Sequence, residues 1–139
     1  MCFRRVKMDI AKLIAELSNS NEQRAASASA DLASQIWAGS IDEATLIQWL
    51  EGEQELLRAT TSWAIWDAGR PPLALKRLME LGSNDENETV RLYCLRCWID
   101  YHPKDALRSM TIANFCNDKC STISRRASSA METKGGHDS

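Results

Sequence analysis

The sequence predicts an all-α protein built as an α-solenoid of four helix pairs. Three observations carry that prediction. Apolar residues recur about every 33 residues in a fixed phase, as at Leu57, Val90 and Ile123, which is the spacing of stacked helical repeats. Within each unit they recur at helical intervals. Leu57, Thr61 and Ile65 share one face, as do Val90, Cys94 and Trp98, and Ile123, Ala127 and Met131. The first unit offers Arg24, Ala28 and Leu32 in the same phase, so only its first position departs from the apolar ladder. No segment sustains a period-two alternation, so no strand is expected.

A second ladder lies upstream in each unit and predicts a partner helix. Its rungs are Met8, Ile41, Ala74 and Leu107; then Leu13, Ile47 (one residue out of phase), Met79 and Ile112; then Leu17, Leu50, Ser83 and Cys116. Each unit thus holds a helix A followed by a helix B. The first A helix spans residues 8–17 and breaks at the polar run 18–21. Ser20 or Asn21 caps the first B helix, with Gln23 close to a capping-box position, and this helix runs over 22–37 to Gly39. Ser40 or Asp42 caps the second A helix, which ends near Gly52. The next B helix covers 53–68 and closes at Gly69. Pro71–Pro72 suits a helix start, because proline lacks an N–H that the first turn would leave unbonded anyway. That third A helix reaches Gly82, and 83–85 forms a turn into a B helix over 86–101. His102–Pro103 starts the last A helix, which reaches Cys116. A final B helix follows Asn117–Asp118 and fades by Glu132.

Length and composition agree with this plan. The chain has 139 residues, enough for one domain, and its 44% hydrophobic and 26% charged content is ordinary for a globular protein. Residues 1–7 are expected to form a disordered leader, 8–133 the repeat domain, and 134–139 a tail with nothing to bury and hence disordered. No apolar run approaches the ~20 residues of a membrane span, and no apolar segment follows the basic N-terminus as a signal peptide requires. A cytoplasmic location with five reduced cysteines is the expectation. The formal net charge of −2 provides no global attraction to nucleic acid or an acidic membrane. The charge is nevertheless uneven: acids dominate between positions 9 and 67, and the balance turns mildly basic from Arg70 onward.

Residues Asp85, Asn87, Val90, Arg91, Cys94 and Trp98 carry a recognisable pattern: an acidic turn, a Val-Arg pair, then small and large apolar positions. This resembles HEAT-like repeats of the short type. Glu53, Leu57, Arg58, Thr61 and Ile65 follow the same pattern; Asp118, Ile123, Arg125, Ala127 and Met131 follow it with the arginine displaced by one; the first unit follows it least, as a capping repeat does. The resemblance covers nearly the whole chain. It implies a right-handed superhelix of the armadillo type with the B helices lining the concave face. It implies little about activity, since such repeats serve scaffolds, inhibitors, chaperones and a few enzymes. It also implies that Arg58 and Arg91 bridge to an acidic turn residue of a neighbouring repeat, such as Glu53 or Asp85.

The two central B helices are apolar well beyond one stripe, through Ala59, Ser62, Trp63 and Trp66, then Leu92, Leu95, Arg96 and Ile99. A helix apolar nearly all round is either buried or presents a binding face. On the binding reading, Trp63, Trp66, Tyr93 and Arg96 grip a protein or peptide partner, because Trp, Tyr and Arg are the usual anchors of interfaces. On the other reading they pack between repeats. Cys94, Cys97, Cys116 and Cys120 approach a four-cysteine zinc spacing. Cys94 and Cys116, however, fall on apolar rungs, and the first pair sits mid-helix, so no metal is expected. No cofactor motif, phosphate loop or nucleophile elbow is present. No His-Glu pair supports the metal-dependent HEAT-repeat hydroxylases. Arg125–Arg126–Ala127–Ser128 resembles a basophilic kinase site.

The expected function is a small non-enzymatic binding module; its sharper version is an inhibitor or immunity-type protein. The alternatives are a nucleic-acid-binding relative of HEAT-like DNA glycosylases, or an accessory subunit similar to the bilin lyases. A glycosylase needs a carboxylate beside an aromatic cleft, which here means Asp67 near Trp63 and Trp66, or Asp100 near Trp98. Only Arg96, Arg125 and Arg126 would serve a basic surface.

Overall fold

The computed structural model describes residues 10–136, which contain eight α-helices, one 3-10 turn and no strand. The helices are α1 (Ile10–Leu17), α2 (Glu22–Ala38), α3 (Glu43–Glu51), α4 (Glu55–Ala68), α5 (Pro72–Leu81), α6 (Glu88–Tyr101), α7 (Ala106–Phe115) and α8 (Ser121–Gly136), with the 3-10 turn at Gly82–Asn84. Each odd-numbered helix packs on the even-numbered helix that follows it, and α2, α4, α6 and α8 pack on one another in that order. The helix α3 also packs on α5.

Local chemistry sets the boundaries. The Asn21 side chain accepts from Arg24 N–H at the start of α2, and Asn87 accepts from Thr89 and Val90 N–H at the start of α6. Gly69 closes α4 in the left-handed region at φ 68°, and a Cβ there would lie 3.1 Å from the Tyr101 ring. The helix α7 begins at Ala106 rather than at Pro103. Its cap is Asp105, whose carboxylate accepts from Arg108 N–H and so wins over the proline signal. The last helix runs to Gly136, beyond position 134 where the sequence reading places a disordered tail. Residues 1–9 and 137–139, including the expected leader, lie outside the described residues.

The B-helix ladder is buried as read. Leu57, Val90 and Ile123 are core residues, and Thr61, Cys94 and Ala127 have no exposed surface. In the A-helix ladder, Met8 lies outside the described residues, Ile47 and Met79 are part-buried beside the core residues Leu46 and Leu78, and two rungs are exposed. Leu107 is 51% exposed, and the buried residue on that turn is Arg108, whose guanidinium donates to the carbonyls of Trp98 and Ile99 at the end of α6. Ser83 is exposed in the 3-10 turn, and the buried residue there is Gly82. A Cβ on Gly82 would stand 2.5 Å from the Cys94 Cβ, so close approach of this turn to α6 requires glycine.

Two arginines fasten consecutive units in the same way. Arg58, in the first turn of α4, donates Nε and Nη2 to the two Asp85 carboxylate oxygens at 2.9 and 3.1 Å, and Nη1 to the Gly52 and Glu53 carbonyls. Arg91, in the first turn of α6, repeats this on Asp118 at 2.9 and 3.1 Å, with Nη1 on the Asp85 and Glu86 carbonyls. Asp85 and Asp118 also accept the N–H two residues on. The acid that each arginine bridges is therefore the turn aspartate of the following unit, and Glu53 contributes only its carbonyl.

Candidate binding surface

The four residues singled out on the central B helices come together. Trp63 of α4 stacks on Tyr93 of α6 with centroids 5.7 Å apart and planes 12° from parallel. Trp66, one turn further along α4, lies 5.3 Å from the same tyrosine at a tilt of 43°. The Arg96 guanidinium sits 3.8 Å above the Trp66 ring and 5.7 Å from the Tyr93 ring. Helical spacing explains this. Positions three apart on α4 and three apart on α6 face one another because the two helices pack side by side. Offset stacking and a guanidinium over an indole face are the favoured geometries for these groups.

Exposure divides the set. Trp63, Trp66 and Arg96 are part-buried, whereas Tyr93 is buried at 8% exposure and forms the floor of the cluster. Burial pushes the Tyr93 hydroxyl above its ordinary pKa, while Arg96 by hydrogen bond and charge, and Arg126 of α8 by charge, pull it back. The Trp66 Nε1–H donates to Asp100 at 2.8 Å, and the Tyr101 hydroxyl donates to the Trp66 carbonyl at 2.5 Å. Arg96 Nε is buried and has no hydrogen-bond partner. Ala59, Ser62 and Leu95, which the sequence places beside these residues, are buried in the core instead.

Sequence reasoning missed a second aromatic–arginine pair. Trp37, at the end of α2, is 58% exposed and carries the Arg70 guanidinium 3.4 Å above its ring. The only available signal was the repeat itself, since Trp37 and Arg70 share one phase of the period. Asp100, read as a neighbour of Trp98, serves Trp66 instead. The Trp98 Nε1–H donates to the Met79 carbonyl at 3.2 Å and its ring packs against His102.

The cysteines fall into two environments. Cys94 and Cys97 are fully buried, and burial pushes the Cys94 thiol up to about 12 and the Cys97 thiol higher still. Such thiols are inert apolar groups at neutral pH. Cys116 and Cys120 are part-buried. Among the described residues no three His, Cys, Asp or Glu side chains come together to hold a metal ion. The Arg125–Ser128 motif lies within α8 with Ala127 fully buried, so a kinase would have to unwind the helix to read it. No helix of the described residues is long and apolar enough to cross a membrane. No protein family, curated protein or solved structure matches the chain.

Proposed function

We propose that this chain is a HEAT-like right-handed solenoid of four helix pairs, and that it acts as a non-enzymatic cytoplasmic module holding a protein or peptide against the solvent side of its B helices. The order of packing among the even-numbered helices and the twice-repeated arginine clamp support the solenoid. The observation that carries the binding reading is the part-exposed stack of Trp63, Trp66, Tyr93 and Arg96 on the two central B helices. A rigid aromatic surface of this kind loses little side-chain entropy on binding, and a desolvated Trp or Arg contributes ~2 kcal/mol or more to an interface. An inhibitor or immunity-type role, masking a partner's own surface, is the specific form that such a small module would take. The test is to compare wild type with Trp66→Ala and Arg96→Ala, each shown to be folded by circular dichroism, in a pull-down with purified partner. Loss of the partner with the fold retained supports the reading; undiminished capture by the folded double variant rejects this face.

One observation favours a second reading, binding of nucleic acid in the manner of the HEAT-like glycosylases. Asp67 lies one turn from Trp63 on α4, so the aromatic residues and a carboxylate are carried by the same stretch of helix. Retention of labelled single- or double-stranded oligonucleotide with a steep salt dependence would favour it.

A further inference from the structure

Four arginines of the described residues are buried or part-buried, and three of them direct their guanidinium into the fold. Arg58 and Arg91 clasp Asp85 and Asp118, and Arg108 caps the α6 carbonyls. Arg96 is the exception. Its plane is held on Trp66, its Nε is shut off from water without an acceptor, and among the described residues no carboxylate pairs with it. Asp100, on the same helix, is occupied by the Trp66 indole N–H, and the polar group beside Arg96 is the Tyr93 hydroxyl. Stacking uses the face of a guanidinium and leaves its edge, a fork of N–H donors whose shape matches a carboxylate. Arg96 keeps part of its surface in water, and an acceptor arriving from solvent would meet its terminal N–H groups rather than the buried Nε.

We propose that this surface takes an acidic peptide segment, which sets an Asp or Glu side chain against Arg96, with Arg126 assisting by charge, while its apolar neighbours lie on Trp63 and Trp66. The proposal rests on the binding reading above and specifies the partner's chemistry. A single carboxylate suits the site better than a phosphodiester chain. Asp67 and Asp100 stand on the same two helices and would repel a continuous polyanion, as would the net charge of −2.

The experiment is a selection of random short peptides on the immobilised full chain, followed by titration of synthetic versions of the enriched sequences. The expected peptides carry Asp or Glu flanked by apolar residues. Their affinity falls at least about tenfold on Arg96→Gln, and by a similar factor when the peptide acid becomes its amide, with the two changes non-additive. Arg126→Gln, at an exposed position that leaves the fold intact, costs a smaller, salt-dependent factor. The proposal is overturned if no peptide is enriched, if the enriched peptides are basic, if they bind Arg96→Gln or their own amide forms as tightly, or if oligothymidylate binds more tightly than any of them. Peptides that tolerate the amide change yet are lost with folded Trp66→Ala would remove the carboxylate and leave the aromatic surface standing; peptides indifferent to Trp66→Ala as well would remove both.

Discussion

The junction between α2 and α4 and the two junctions that follow it are closed by different chemistry. At α4–α6 and α6–α8 an arginine in the first turn of one even-numbered helix reaches the turn aspartate that precedes the next. The corresponding positions at the first junction are Ala25 and Gly52, which can form no such pair. There α2 lies along α4 more extensively than any other two helices do, and both helices bury small residues, Ala28, Ser29 and Ala33 on α2 and Ala59, Thr60 and Ala64 on α4. A hydroxyl group completes it: Ser29 donates to the Thr60 carbonyl at 3.3 Å, while the Thr60 hydroxyl ties α4 to the Leu17 carbonyl of α1 at 2.7 Å. Small side chains let backbones approach and gain dispersion energy. At the later junctions a long guanidinium reaches the turn before the next even-numbered helix instead. The arginine ladder is also interrupted at position 124, which is serine.

The sharpest way to break this comparison is to cut a clamp. Arg91→Ala strands Asp118 in a site where both side chains are less than 10% exposed, and should cost about 3–5 kcal/mol in urea unfolding. Arg58→Ala should cost less, since that pair is 15% and 13% exposed. A loss under about 1 kcal/mol at Arg91 would reduce the clamps to ordinary surface pairs. Cys94 offers a second readout. With its thiol pushed up to about 12 it should resist thiol reagents in the native state, and Arg91→Ala should speed its labelling.

Next in size are the core rungs. Leu57→Ala and Ile123→Ala should each lose roughly 2–4 kcal/mol and Val90→Ala somewhat less; losses under about 0.5 kcal/mol at two of the three would contradict the shared register. Gly82→Ala should lose about 1–3 kcal/mol by overpacking against Cys94, and Cys94→Ala should not relieve it, because the contact is with Cβ. At the first junction, Ser29→Ala should lose only about 1 kcal/mol, because one hydrogen bond among many close contacts is removed. A cost equal to that of Arg91→Ala would mean that the two kinds of junction are energetically alike.

The smallest expected effect is the pH dependence of the clamp. Burial alone would raise the Asp118 pKa, but the hydrogen bonds from Arg91 and the Cys120 N–H, with the charges of Arg91 and Lys119, outweigh it and hold the pKa below the ordinary value. The folded state therefore binds this proton less readily than the unfolded chain. The stabilisation is fully present above the unfolded pKa of about 3.9 and is lost as pH falls through the lowered one. Asp118→Asn should flatten the acid limb of a stability–pH curve below about pH 4, while a matching Ser29→Ala curve keeps the wild-type slope.

Helix content, the phase of the B-helix ladder and the repeated arginine positions were legible in the sequence, because each depends on residues a few places apart or on a period that a linear reading can count. Leu57, Val90 and Ile123 are buried because helical spacing puts them on one stripe, whatever lies beyond. Three features depended on contacts between distant segments. Which acid Arg91 grips is a matter of the turn that packs against it, and Asp118 lies 2.9 Å away while Glu53 does not take part. Leu107 gave its core place to Arg108 because the α6 carbonyls needed donors, a demand invisible in the pattern of apolar residues. The stack of Trp63, Trp66, Tyr93 and Arg96 could be proposed from spacing, but burial of the tyrosine and partial exposure of the tryptophans could not. The period says which residues share a helix face, and only the packing of one helix on the next decides how much of that face is left to water.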